Sequence, residues 1–233
     1  MTSQDDRRSA ATRNNVDWCA AVCRTHGILG THTDLAWTST RRTPPYYPDA
    51  ITLHPDATAA DLLDKIDTAT PGCSVKDSFA ELDLASDGFV ELFTAQWIHR
   101  PADLPAPTAP GVRAEPVRTA DALRRWQAAW GESDLFRPAL LADRDILILA
   151  VTDGESAIGG AVLNRGGGVV GISNLFASNN SAIDAVWSGV LGAAHRRFSG
   201  LAVVGYTHGG ELAAALAAGF VTAGPLRVWL REP

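Results

Sequence analysis

LAAALAAGFVTAGPLRVWLREP, residues 212–233, repeats the plan of FAELDLASDGFVELFTAQWIHRP, residues 79–101. Each begins with a short Ala/Leu-rich helical turn, passes through Gly-Phe-Val, and runs to a Trp followed by Arg and Pro. Gly88 and Gly219 fall just past the helical turns, where the chain often needs a positive φ that only glycine adopts without strain. Phe89 and Phe220 then open strands that Trp97 and Trp229 close. A repeat of this length predicts two copies of one supersecondary plan.

Between the copies lies PADLPAPTAPG, residues 101–111, with four prolines in eleven residues. It reads as a semi-rigid extended linker and as the domain boundary. The expected organisation is a disordered leader over 1–13, a first half over 14–100, the linker 101–111, and a second half over 112–233. In the first half the pattern predicts a helix from Asn14 or Asn15 to Thr25 and strands over 34–40 and 50–54. A helix over 59–68 and a strand over 73–77 follow. In the second half the expected order is strand 112–117, helix 120–130, short helix 137–142, strands 146–152, 157–164 and 169–176. Helix 182–198, strand 201–206, helix 211–218 and strand 220–230 complete it. Antiparallel hairpins followed by a strand-helix-strand crossover make a mixed sheet of α/β or α+β type.

The bulk numbers narrow the classes. A chain of 233 residues with 46% hydrophobic and 20% charged residues is ordinary for a globular protein. A net charge of −6 argues against nucleic acid or an anionic membrane surface as the main partner. No apolar run reaches the ~20 residues of a membrane helix, and no apolar segment follows Arg7 and Arg8 as a secretory signal requires. A cytoplasmic protein, monomer or homodimer, is the expectation. Three cysteines fit free thiols in a reducing compartment. Cys19, Cys23 and His26 share a helical face, but a metal site needs about four ligands, and small buried residues on an amphipathic helix explain the pattern better.

From residue 112 onward the chain resembles the GCN5-related N-acetyltransferases. The resemblance is carried by VVGISNLFAS leading into SAIDAVWSGVLGAAHRRFSG, then LAVVGYTHGGELAAALAAGF. It covers about 120 residues at the level of architecture, and the first half resembles a shrunken, degenerate copy in a tandem arrangement. The resemblance implies a strand splayed from its neighbour to admit the pantetheine arm of acetyl-CoA or another acyl-CoA. It also implies a glycine-rich turn that holds the pyrophosphate at a helix N-terminus. It further implies acetyl transfer to a small-molecule amine.

Two departures from that pattern stand out. The family's pyrophosphate turn has Arg or Gln, then two residues, Gly, one residue, and Gly or Ala. Here Ser178-Asn179-Asn180-Ser181-Ala182 occupies the place. Many members also carry a Tyr acid four residues before the last Gly-Phe, where this chain has Ala215, and Leu84 in the first copy.

On this reading Leu175, Phe176 and Ala177 would pair with pantetheine amides, and Asn179, Asn180, Ser181 and Ala182 would face the pyrophosphate. Asn174 would orient a substrate amine or fill a hydrogen-bond defect in the strand. His208 is a candidate general base and Tyr206 a replacement acid, although a loop histidine capping the next helix is the plainer role for His208. Glu132 and Asp134 could attract a cationic amine. Tyr46 and Tyr47, in TPPYYPD (43–49), suit a binding surface or a lid that packs one half on the other. The rival to an enzyme is a non-catalytic or repurposed module that binds a small molecule or protein between the halves.

Overall fold

The computed structural model describes residues 3–132 and 134–231. In chain order the elements are α1 (Gln4–Thr25), β1 (Thr31–His32), β2 (Ala36–Thr38), β3 (Ala50–Thr52), α2 (Ala59–Leu63), β4 (Ser74–Asp77), β5 (Phe89–Arg100), β6 (Val112–Pro116) and α3 (Ala120–Trp130). There follow β7 (Ile146–Asp153), β8 (Ser156–Gly166), β9 (Val169–Ala177), α4 (Ile183–Arg197), β10 (Val203–Thr207), α5 (Glu211–Ala217) and β11 (Val221–Arg231). Short 3-10 segments occupy Ala85–Asp87, Pro138–Ala142 and Asn180–Ala182.

The strands form one mixed sheet in the order β1-β2-β3-β4-β11-β5-β10-β9-β8-β7-β6. The two repeated endings, β5 and β11, lie side by side at its centre, antiparallel over ten residue pairs. From them outward the order is nearly symmetric: β4 answers β10, β3 answers β9, β2 answers β8 and β1 answers β7. Each half has one parallel pair, β3 with β4 across α2 and β9 with β10 across α4. β11 sits between β4 and β5, and β5 pairs with β10, so the halves on either side of 101–111 share their final strands. The last strand is therefore covered within the chain on both edges. The proline-rich segment is held by Arg100, whose guanidinium donates to the carbonyls of Leu104 (3.1 Å), Pro105 (2.6 Å) and Ala218 (3.0 Å).

Helices α1 and α3 cover one face of the sheet, where Trp18, Trp126 and Phe136 pack on Ile148 and Val162. On the opposite face α4 and α5 bury Val186, Val190 and Ala215 against Leu149, Leu163 and Val170. α2 packs on that second face too, with Leu62 against Val75 and Trp229.

The expected leader is overturned: from Gln4 onward residues 1–13 belong to α1, and only Met1 and Thr2 lie outside the described residues. Ser3 and Asp6 form a reciprocal capping box, and Asp5 and Asp6 meet the positive end of the helix dipole. Ala11 and Thr12 are small enough to lie flat on the sheet, fully buried, and the Arg8 guanidinium stands 5.0 Å over the Phe79 ring. Helix α2 stops at Leu63 and not at 68; a few residues on, the Asp67 carboxylate takes the N–H groups of Ala69 (2.9 Å) and Thr70 (3.1 Å) and turns the chain. In the first repeat the helical turn is only 3-10, Ala85–Asp87. Gly88 (φ 81°) and Gly219 (φ 90°) do supply the left-handed step in both copies. The Glu232-Pro233 end of the second copy lies outside the described residues.

Candidate functional site

β9 and β10 run parallel but share only two residue pairs, Val203 with Val170 and Val204 with Gly171. Both strands continue, to Ala177 and Thr207, with no shared ladder. They are still close at the next level, where a Cβ on Gly205 would meet the Ile172 carbonyl oxygen at 2.9 Å. Beyond it a slot opens through the sheet, with unpaired backbone edges on both sides.

Asn174 makes the slot. Its φ of 53° and the shift from Val162↔Ser173 to Gly160↔Phe176 place one extra residue in β9, a β-bulge that bends the strand. The bulge reverses the phase of the strand. Before it Val170 and Ile172 face α4. After it Leu175 and Ala177 face α4, and Phe176 turns to the α1 face against Trp126, ring centroids 5.2 Å apart. The Asn174 Oδ1 is buried with no hydrogen-bond partner, a cost unless something outside the protein donates to it.

The mirror-related gap in the first half, past Ile51 and Lys76, is filled. There the Thr52 hydroxyl accepts from the Ser78 N–H (2.7 Å), and the Asp77 carboxylate accepts from Phe79 (3.2 Å) and Leu82 (2.8 Å). Of these two gaps among the described residues, the one between β9 and β10 is left open.

At the slot's rim, Asn179 caps the start of α4: its Oδ1 accepts from the Ala182 N–H (3.1 Å) and the Ser181 hydroxyl (2.6 Å). Asn179, Asn180 and Ser181 are exposed and Ala182 is half-buried. No basic side chain stands in this turn, and Asp184 sits in the first turn of α4, where its carboxylate opposes a bound phosphate. The slot therefore fits a pantetheine arm through its free edges and the orphaned Asn174 Oδ1. The phosphate end offers only amides and hydroxyls.

The remaining predicted residues separate into two groups. Tyr206 flanks the slot, half-buried, with its ring edge-on to Trp97 (5.6 Å) and its hydroxyl bonded to no described residue. His208 is exposed and leans on Phe93 of β5 (5.1 Å), on the side of β10 away from β9. Glu132 accepts a hydrogen bond from Tyr46, and Asp134 pairs with Arg137 (2.6 Å) at the surface, so neither carboxylate reaches the slot unpartnered. Tyr46 stands edge-on to Trp130 (6.4 Å), and Tyr47 is buried against Trp18 (6.3 Å). Burial pushes the Tyr47 phenol well above its ordinary range. The 43–49 turn thus fastens the first half to α3 and α1. Ala215 and Leu84, where the acid was missed, are wholly buried core residues.

Sequence reasoning missed Lys76 and Asn15. The Lys76 ammonium is buried beneath α1, bonded to Asn15 Oδ1 (2.8 Å) and 4.3 Å above the Tyr206 ring. The signal that could have found it is its rarity: Lys65 and Lys76 are the only lysines in a chain with eighteen arginines.

No protein-family model matches the sequence, and no curated protein matches it. Solved structures do. A GCN5-related N-acetyltransferase from Kribbella flavida superposes with a TM-score of 0.63 at 11% identity, covering 95% of this chain and 96% of its own. A conserved protein of unknown function from Staphylococcus epidermidis ATCC 12228 gives 0.62 at 13% identity, with 87% and 92% covered. A putative acetyltransferase of the same family from Novosphingobium aromaticivorans DSM 12444 gives 0.54 at 14%, with 95% and 97% covered. At identities this low the likeness is one of fold, and the fold of this chain is that of the GCN5-related N-acetyltransferases.

Proposed function

We propose that the chain is an acyl-CoA-dependent N-acyltransferase acting on a small-molecule amine. The observation that carries this reading is the slot: a parallel ladder cut to two pairs beside a bulge whose Asn174 Oδ1 is buried and unbonded. An acyl-CoA bound there would supply the thioester that an amine attacks directly. Residues 172–177 and 205–207 offer free backbone groups to orient the arm and to stabilise the oxyanion that forms on attack. The Asn174 Oδ1 would accept an N–H from the arm or the incoming amine. The Tyr206 hydroxyl, bonded to no described residue, would give the departing thiolate its proton and recover one from the attacking amine. Asn179, Asn180 and Ser181 would meet the phosphates through hydrogen bonds alone.

The near-symmetric strand order supports a further part of the reading, that the first half is a degenerate tandem copy whose own gap is closed by Thr52 and Asp77. Three buried free cysteines suit a cytoplasmic location.

Isothermal titration with acetyl-CoA and with CoA tests the proposal. Micromolar binding, about −8 kcal/mol, is expected, and no binding up to millimolar ligand overturns it. One observation favours a second reading, a non-catalytic module: Asp184 lies in the first turn of α4, where its charge would repel a phosphate bound at that helix end. That reading predicts silence toward CoA with the fold intact.

A further inference from the structure

Lys76 is the most unusual charge in the molecule. It is 3% exposed, one of its three N–H groups is satisfied by Asn15 Oδ1, and its face meets the Tyr206 ring. Among the described residues no carboxylate oxygen lies within 4.0 Å of it. The neighbouring Asp77 carboxylate is turned to the backbone of Phe79 and Leu82.

The other titratable groups around the ammonium do not neutralise it. Burial pushes the Cys19 thiol up and the Tyr47 phenol well up, so both are neutral near pH 7. The ring of Tyr206 gives a cation–π contact, which is attractive but carries no charge. A buried ammonium without a counter-ion is costly, and folds keep one only where something compensates it.

Its position points to what that is. Lys76, Val228, Phe93, Trp97 and Tyr206 lie on one face of neighbouring strands by register, the face that α1 covers. α4, whose N-terminus rims the slot, packs on the opposite face. The slot between β9 and β10 therefore connects two sides: the capped turn of Asn179 on one, and Lys76 with Tyr206 on the other. On the Lys76 side the far wall is aromatic, Phe176 and Trp126.

We propose that Lys76, held by Asn15, binds a carboxylate of the acceptor, so that the acceptor is a small amine that also carries a carboxylate, of the amino-acid class. This rests on the slot being the site of acyl transfer. It replaces the cationic amine that Glu132 and Asp134 suggested, since both of those carboxylates are already partnered. The carboxylate would enter past the half-buried Tyr206 ring and take the N–H groups of Lys76 that Asn15 leaves free.

The test uses the full chain labelled with 15N-lysine, which gives two side-chain signals, from exposed Lys65 and buried Lys76. Sodium acetate, the smallest stable carboxylate probe, is titrated at constant ionic strength beside acetamide, its neutral counterpart. The expected result is a saturable shift of the Lys76 ammonium with acetate, none with acetamide, and no saturable response from Lys65. No saturable shift, or an equal response to acetamide, overturns the proposal. Lys76→Met provides a second reading by thermal unfolding: it should be at least as stable as wild type in buffer and should lose the stabilisation that acetate gives. A Met variant that acetate stabilises as much as wild type overturns the proposal as well. Neither experiment contains CoA, so failure here is separate from failure of the acetyl-CoA titration.

Discussion

Asn14 of α1 lies against Gly171, the residue at which β9 and β10 last pair before they part. The Asn14 side-chain amide donates to the carbonyls of Asn164 (3.0 Å) and Gly166 (3.1 Å), and Asn164 donates back to the Asn14 carbonyl (3.1 Å). A Cβ at position 171 would fall under 3.0 Å from Asn14 Oδ1. The root of the slot is thus clamped by a helix from the other half of the chain.

Gly171→Ala should therefore destabilise the protein by about 2 kcal/mol or more, because the added methyl meets a buried polar network. Urea unfolding of the variant measures it. A change under about 0.5 kcal/mol would show that α1 yields and is not a clamp.

Removing residues 1–13 should cost several kcal/mol, on the order of the apolar area uncovered over Trp97, Ala95 and Val204. The truncated chain should unfold at lower temperature and bind hydrophobic dyes. Unchanged thermal unfolding would mean that this part of α1 adds nothing to the fold.

Asn174→Gly keeps the left-handed backbone and removes only the unbonded amide, so its stability should stay within about 0.5 kcal/mol of wild type. Affinity for acetyl-CoA should fall severalfold. Asn174→Val, in contrast, should be strongly destabilising, since β-branched residues resist positive φ. Paired calorimetry and unfolding on the two variants separate the binding role from the backbone role.

Asp184→Asn should tighten CoA binding about two- to fivefold, as expected when about 0.3–1 kcal/mol of repulsion at a helix N-terminus is removed. The gain should shrink at high salt. Titration at two ionic strengths checks both, and equal affinity would place the phosphates elsewhere.

His99 is buried on β5, and burial, reinforced by the Arg7 charge, holds its imidazole below the usual range. The unfolded chain binds that proton more readily, so stability rises with pH in the window between the two values. Stability should be level above about pH 6.5 and fall on acidification below it. His99→Gln should flatten that part of the profile in a series of thermal scans.

How much of this was legible in the sequence depended on whether a residue's neighbours were local. The endings at 88–101 and 219–233 announced themselves because Gly, Phe and Trp act where they stand, and the alternation of helix and strand after 112 did the same. The bulge at Asn174 was half visible, as an asparagine in an apolar strand. The start of α1 was hidden, because a polar segment such as QDDRRSAATR becomes a helix only through a capping box and a sheet on which Ala11 and Thr12 can lie. Lys76 was hidden for a similar reason: its burial depends on Asn15 and Tyr206, sixty-one residues before it and 130 after it. The partners of the acidic residues Glu132 and Asp134, Tyr46 and Arg137, could not be read from charge alone.

The exchange of β5 and β11 has a consequence for biosynthesis. Residues 89–100 and 74–77 leave the ribosome long before residues 221–231, yet those later residues form the strand that lies between them. The first half cannot complete its hydrogen bonding as it emerges, and its two unpaired edges must remain apart until translation has passed residue 231. Such long-range closure is slow and leaves sticky strands exposed in the meantime. A nascent chain of this protein is therefore a natural client for chaperones, and stalling between residues 101 and 220 is where aggregation should begin.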